Sequence, residues 1–314
     1  MSRTFGAEST CDDVLAGVDV AGKHALVTGA SGGLGAEAAR SLAAKGVHVT
    51  LVARDKEKTE GVAASIRDAH PSAQVDIGLM DLSDPSSVNA FAERWLSEHS
   101  QLDMLILNAG LMASPLMRNA QGWEMQFATN HLGHFALTSK LMPILLQSAP
   151  ARVVSLSSAG HAVSPVLLDD PNFEQSDYDP WAAYGQAKTA NIWFATELNR
   201  RYAEQGVNAT ALHPGVISTD LARHLTKETL APILARMSER GEASKTIPQG
   251  AATSIYAATA PELEGKGGLY LADCQVVDEN SAQHIQYVPH AFDEEGEARL
   301  WAMSEQLLGI TFGA

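Results

Sequence analysis

Thr28-Gly29-Ala30-Ser31-Gly32-Gly33-Leu34-Gly35 follows the apolar run His24–Thr28 and leads into a stretch of helical period, Gly35–Lys45. A glycine-rich turn between strand and helix lets backbone N–H groups approach an anionic ligand where a Cβ would block the way, and it aims the helix N-terminus at that ligand. With a second β-branched run, Val47–Ala53, behind the helix, the context is that of a pyrophosphate cradle. Its candidate contacts are Gly29, Ser31, Gly32, Gly33, Leu34 and Gly35. The register is open: Gly29, Gly33 and Gly35 fit TGxxxGxG, while Gly29, Gly32 and Gly35 fit GxxGxxG.

Outward from this turn, short apolar runs keep alternating with helical stretches. The strand candidates are His24–Thr28, Val47–Ala53, Gln74–Leu79, Met104–Asn108, Arg152–Ser157, Asn208–His213 and Gly268–Leu271. Helices are expected over Gly35–Lys45, Pro85–Glu98, Trp123–Gln147, Ala182–Gln205 and Asp293–Leu308, with Asp84 and Asp179 as N-caps. The pattern predicts an α/β, single-domain Rossmann fold: a doubly wound, seven-stranded parallel sheet flanked by helices. Residues 1–22 are read as an N-terminal arm and 23–314 as the one domain, with the charged excursion 214–250 as a substrate lid.

Among 314 residues, 45% are hydrophobic, enough for a large core, and the formal charge is −15. Such a field repels nucleic acid and anionic membrane surfaces, so neither is an expected partner. Cys11 and Cys274 are the only cysteines, which excludes a disulfide framework and a thiolate metal cluster. The first residues lack the apolar core of a signal peptide, and no apolar run reaches the roughly 18 residues of a membrane span. A cytoplasmic protein is expected.

The second strand ends in Val52-Ala53-Arg54-Asp55. A carboxylate at the strand end would repel an adenosine 2′-phosphate, whereas a small residue followed by an arginine leaves room for one and supplies a guanidinium. Arg54 therefore favours NADP(H) over NAD(H). Asp81 and Leu82 close the third strand where the adenine would lie.

Tyr184-Gly185-Gln186-Ala187-Lys188 falls within a predicted helix, so phenol and ammonium lie one turn apart on one face. A nearby ammonium favours the phenolate and brings a tyrosine toward the working range for proton exchange with a substrate oxygen. Ser157 and Ser158 end the fifth strand at the carboxyl edge of the sheet, where a hydroxyl can hold that oxygen, and spacing does not separate the two. His131 and His134, three apart, lack a third ligand, and no metal is predicted.

With these elements assembled, residues 20–275 resemble the classical short-chain dehydrogenase/reductase (SDR) family: TGASGGLG at 28–35, Asn108-Ala109-Gly110, the serine pair, YxxxK and Pro214-Gly215. The resemblance implies catalytic roles for Ser158 and Tyr184, for Lys188, which also binds the nicotinamide ribose, and for Asn130 in a proton relay. It adds Asn108, Ala109, Gly110, Pro214, Gly215, Val216 and Thr219 as cofactor contacts, and hydride transfer from the 4-pro-S face. Asn-Ala-Gly favours the glycine register of this branch over the extended, sugar-modifying one. The chain is similar more narrowly to the retinol dehydrogenase and WW-domain oxidoreductase group, through Cys11–Asp19, Val52–Asp55, NHLGHF at 130–135 and Ser157–His161. It differs in having Ala53 where many relatives carry cysteine, and in lacking a WW module and a membrane-anchoring segment.

The expected activity is NADP(H)-dependent interconversion of a carbonyl and an alcohol on a small hydrophobic substrate, with Met112, Met117 and Trp181 near it. A nicotinamide-nucleotide sensor and a nucleotide-sugar epimerase or dehydratase are the alternatives. The helices Trp123–Gln147 and Ala182–Gln205, which pair across a two-fold axis in the resembled family, predict a homodimer or homotetramer.

Overall fold

The computed structural model describes residues 4–219, 221, 244–278 and 288–313. In chain order the main elements are α1 (Cys11–Val14), β1 (His24–Thr28), α2 (Gly33–Ala43), β2 (His48–Ala53), α3 (Lys56–Ala69), β3 (Val75–Leu79), α4 (Pro85–Glu98) and β4 (Met104–Leu107). They continue as α5 (Met125–Phe127), α6 (Gly133–Gln147), β5 (Ala151–Leu156), α7 (Pro180–Tyr202), β6 (Val207–His213), α8 (Ile247–Thr259), β7 (Leu269–Ala272), β8 (Gln275–Val276) and α9 (Glu294–Leu308). A π-helical turn, Ala128–Leu132, joins α5 to α6.

The strands form one sheet in the order β3-β2-β1-β4-β5-β6-β7-β8. Strands β1 to β7 are parallel, which gives the doubly wound α/β core expected from the sequence. The sheet has eight strands instead of seven because β8 returns antiparallel on β7. Asp273 and Cys274 make that hairpin turn with φ of 52° and 56°, a primed turn built without glycine or asparagine. The strand order reverses between β1 and β4, so the crevice for a ligand opens at their carboxyl ends.

Alternating residues feed two cores. Leu105, Leu107 and Val153 pack on one face with Phe91, Phe135 and Phe194, while Ile106 and Val154 pack on the other with Leu42, Ile66 and Ile255. The expected caps form: Asp84 accepts from Ser86 N at 2.9 Å, and Asp179 from Trp181 N and Ala182 N at 2.8 and 2.7 Å. Pro85 and Pro180 begin their helices where a missing N–H costs nothing.

Helix α3 lies where none was expected, and α8 is the helix expected to follow the excursion, with bounds that periodicity did not mark. Helix α3 is largely polar and buries only Thr59, Ala63 and Ile66, and Asp55 caps it by accepting from Lys58 N at 3.0 Å. Helix α8 buries every residue from Gly250 to Thr259, so it has no polar face to give a period. Before β1, Cys11, Val14 and Leu15 are fully buried, and α1 packs on α8.

Helices α6 and α7, whose apolar faces carried the expectation of a dimer, bury those faces within the chain. Helix α9 lies against α7, and Trp301 packs on Phe135 and Phe194 with ring centroids 4.9 and 6.0 Å apart. Phe312 closes the same cluster, 4.4 Å from Trp301. Of the excursion 214–250, residues 220 and 222–243 lie outside the described residues. No described helix is long and apolar enough to cross a membrane.

Candidate active site

The glycine turn sits at the strand-order reversal, and its local geometry separates the two registers. Gly29 and Gly33 have φ of +69° and +55°, which side chains rarely adopt. A Cβ on Gly29 would lie 2.8 Å from Ala109 Cα, and one on Gly35 would lie 2.5 Å from Asn108 Nδ2 and from Gly29 O. Gly32, with an extended φ of 170°, has nothing within 4 Å of its would-be Cβ. The structurally required glycines are thus 29, 33 and 35, the TGxxxGxG set. Gly32 also occupies the N-cap of α2 with no side-chain cap, so the first N–H groups of that helix face the open side of the turn. Exposed donors, a helix N-terminus and a clear approach fit a pyrophosphate. Ser31 and Leu34 flank the turn, both half-buried.

The turn is fixed to the strand beside it. Thr28 Oγ1 accepts from Asn108 N and Ala109 N at 3.0 and 3.1 Å, and Asn108 Nδ2 donates to Thr28 O at 2.8 Å. Thr28 Oγ1 also lies 2.9 Å from His134 Nε2. His134 Nδ1 must donate to Asn130 O, 3.0 Å away, because a carbonyl only accepts; Nε2 is then the acceptor and Thr28 the donor. Burial holds the His134 imidazole at about 4, so it stays neutral in this bridge. His131 instead meets Ser304 Oγ at 2.8 Å, so each of the two histidines engages a hydroxyl of its own.

Asn130 lies within the π-turn, a helix defect common at functional sites because it frees backbone groups from the regular ladder. Its side chain is pinned at both ends, accepting from Leu111 N at 2.8 Å and donating to Leu111 O at 2.9 Å. Gly110 separates it from Lys188: a Cβ there would lie 3.1 Å from Asn130 Oδ1 and 3.6 Å from Lys188 Nζ.

On α7, Tyr184 and Lys188 are both buried, with Nζ 5.7 Å from the phenol ring centroid. Lys188 Nζ donates to Leu156 O at 2.9 Å, and burial lowers its ammonium to about 8. Burial pushes the Tyr184 phenol up to about 12, opposed by a hydrogen bond with Ser158. Burial thus dominates, and the lowering influence on this phenol comes from Ser158 instead of the expected Lys188. The serine pair is now resolved. Ser157 Oγ donates to Lys188 O at 2.8 Å and is buried, whereas Ser158 faces Tyr184 and accepts from Gly160 N at 3.1 Å. Trp181 lies edge-on to Tyr184 at 6.1 Å.

The outer positions are less uniform. Arg54 is exposed, with its guanidinium 3.8 Å from Asp81 Oδ2. The other oxygen of Asp81 accepts from Ser83 N and Ser83 Oγ at 2.9 and 2.7 Å, so this residue also holds its own turn. Leu82 buries its side chain in the core and offers the crevice only backbone. Gly215 has φ of +96° and lies under Lys245, whose backbone N donates to Val216 O at 2.9 Å and whose ammonium pairs with Asp273 at 2.5 Å. Pro214 is half-buried, and Thr219 Cγ2 comes within 3.5 Å of a Cβ built on Gly33, so this segment reaches back to the glycine turn.

Four positions in this architecture carried no role in the sequence reading. Thr28 and His134 form the bridge described above, and Lys245 braces Gly215. Gly160 admits the Tyr184 ring, since a Cβ there would lie 2.6 Å from Tyr184 Cε1. His134 was findable in principle, lying one helical turn after Asn130 in NHLGHF.

The family model described as short chain dehydrogenase matches residues 23–230. The chain is 44% identical over 294 residues to the short-chain dehydrogenase/reductase prx1 of Penicillium roqueforti, covering 91% of this chain and 85% of that one. It is 39% identical over 308 residues to retinol dehydrogenase 12 of Homo sapiens, covering 98% and 92%. A solved structure from Mycobacterium paratuberculosis superposes with a TM-score of 0.74 at 35% identity, covering 95% of this chain and 97% of that one. The chain belongs to the short-chain dehydrogenase family, whose members are NAD(P)-dependent oxidoreductases.

Proposed function

We propose that the chain is an NADP(H)-dependent carbonyl reductase and alcohol dehydrogenase acting on small, lipophilic substrates. The observation that carries this reading is the convergence of Ser158, Tyr184, Lys188 and Asn130 beside the glycine turn. The nicotinamide, when bound, supplies or accepts the hydride. Every other step belongs to the chain. Ser158 Oγ holds the substrate oxygen, and Tyr184 Oη gives it a proton. A phenol at about 12 is fully protonated at neutral pH, the form needed to reduce a carbonyl. Lys188 brings a positive charge to the phenolate that remains and a ribose contact. A redox sensor would have no use for a buried phenol and ammonium, and both cost stability.

The pyrophosphate contacts we assign are Gly29, Ser31, Gly32, Gly33, Leu34 and Gly35, with Asn108, Ala109, Gly110, Pro214, Gly215, Val216 and Thr219 around the nicotinamide half. Asp81 and the Leu82 backbone flank the adenine. Preference for NADP(H) rests on Arg54, since Asp55 faces α3 as its cap and puts no carboxylate at the ribose. Both cysteines are free and buried, in keeping with a reducing, cytoplasmic setting.

The test is nicotinamide absorbance with a panel of lipophilic aldehydes and ketones. NADPH should be consumed, and Tyr184→Phe should lower turnover by roughly 10²–10⁴-fold while retaining NADPH binding. A fully active Tyr184→Phe enzyme would falsify the assignment.

A further inference from the structure

The geometry points to a second site at the opposite, amino edge of the sheet: His48, Asp76 and His99 form a site for one divalent transition-metal ion of the zinc type. His48 opens β2, Asp76 lies in β3 in register with Thr50, and His99 follows the last turn of α4. Residues 48 and 50 share a face of β2, so the strand register itself brings the carboxylate beside the first imidazole.

Both imidazoles converge on one oxygen. Asp76 Oδ2 lies 2.6 Å from His48 Nε2 and 3.1 Å from His99 Nε2, and the three ligand atoms are all within 4.8 Å of one another. The tautomer of His99 gives this contact its meaning. Its Nδ1 is 2.9 Å from Trp95 O and must donate to that carbonyl. In the neutral ring Nε2 then presents a lone pair to a carboxylate oxygen, which is repulsive until a cation stands between them. A proton on His99 Nε2, with a neutral His48 donating its own Nε2–H, would meet that need by placing one positive ring 5.8 Å from the His48 ring, which has a third ring, His24, 4.8 Å from it. One metal ion does the same with both rings neutral.

The surroundings match those of metal-binding histidines, which usually donate their second nitrogen to a carbonyl or carboxylate. His99 is further locked by stacking on Trp95 at 4.3 Å and 5°, and Trp95 Nε1 donates to Thr50 Oγ1 at 3.0 Å. Tetrahedral coordination at about 2.0–2.2 Å would set ligand atoms roughly 3.3 Å apart. Reaching that spacing opens the contact to His48 by about 0.7 Å and the contact to His99 by about 0.2 Å, a movement open to Asp76, which is half-exposed. Two imidazoles and a carboxylate suit zinc better than magnesium or calcium, and water completes the fourth position. The ion would tie the end of α4 to β2 and β3, at the far edge of the sheet from Tyr184.

The test titrates zinc chloride into the untagged full chain by calorimetry in chelator-washed buffer. One equivalent should bind with a micromolar or lower Kd and raise the melting temperature. Asp76→Asn and His48→Gln should each weaken binding by more than the roughly 10–100-fold typical of losing an outer-sphere partner. X-ray absorption of the wild-type zinc complex, which needs no variant, should count two imidazoles. No saturable binding, affinity retained in both variants, or fewer than two imidazoles in the shell would each overturn the site.

Discussion

Lys188→Met exchanges a buried ammonium for a thioether of similar length, and the structure sets the size of the effect. Burial takes Lys188 from 10.5 to about 8, which at about 1.4 kcal/mol for each factor of ten in acidity is a cost of about 3 kcal/mol to the folded state at neutral pH. Against this stands the lost hydrogen bond to Leu156 O, worth about 1 kcal/mol. That carbonyl keeps a partner, since Asn191 Nδ2 donates to it at 2.9 Å. The variant should therefore be more stable than the parent by about 2 kcal/mol, some 4 °C in melting temperature for a chain of this size. The sign of the pH dependence follows from linkage. Between pH 8 and 10.5 the unfolded chain holds the lysine proton and the folded one does not, so parental stability rises with pH over that window. The advantage of Lys188→Met is full below pH 8 and gone near pH 10.5. Calorimetric melts of both proteins at pH 7 and pH 10 measure it, alongside loss of turnover. A variant less stable than the parent at pH 7, or a difference independent of pH, would refute the burial argument.

Arg54→Ala should weaken NADPH by about 1–2 kcal/mol, roughly tenfold, and leave NADH unchanged; fluorescence titration with both cofactors reads this, and an equal loss would make Arg54 structural. His134→Leu leaves Thr28 Oγ and Asn130 O without the imidazole that bridges them, so chemical denaturation should show a loss of about 1–3 kcal/mol, with a lower NADPH affinity because Thr28 braces the glycine turn. Light scattering at micromolar concentration should report a monomer, because α9 lies along α7 and its Trp301 packs on Phe135 of α6; a dimer lost on deleting Glu294 to the C-terminus would contradict this.

The sequence made the chemistry-bearing turns legible because they obey local rules. A glycine needed at positive φ, an aspartate before a proline at a helix start and a tyrosine one turn before a lysine are all visible without tertiary context. What stayed hidden depended on partners distant in the chain. Nothing near Gly160 announces that the Tyr184 ring will press on it, and Ser157 and Ser158 are separable only once α7 presents Lys188 O to the first. The bounds of helix α8 escaped because burial on all sides removes periodicity, and α3 escaped because Thr59, Ala63 and Ile66 are too few to mark a stripe. The edge strand β8 has two residues and an Asp-Cys turn, below any local signal. The cover that α9 places on α7, about a hundred residues later in the chain, was hidden for the same reason.

In the proposed mechanism, the order of acidities on α7 gives the proton a direction. Tyr184 at about 12 and Lys188 at about 8 differ by about four orders of magnitude, so a phenolate left after proton donation is a far stronger base than the Lys188 amine. Return of a proton from the lysine side to the tyrosine is therefore downhill, and the reverse is not. Nζ lies 5.7 Å from the centroid of the phenol ring. Refilling the lysine needs a polar route on its other side, where Gly110 keeps Lys188 Nζ close to Asn130 without a side chain between them. The π-turn fixes Asn130 there, and His134 fixes its carbonyl while also bracing Thr28 at the glycine turn. One neutral imidazole thus couples the position of the proton route to the position of the cofactor cradle, and burial, which keeps His134 uncharged, keeps that coupling intact through the pH range in which Tyr184 must stay protonated.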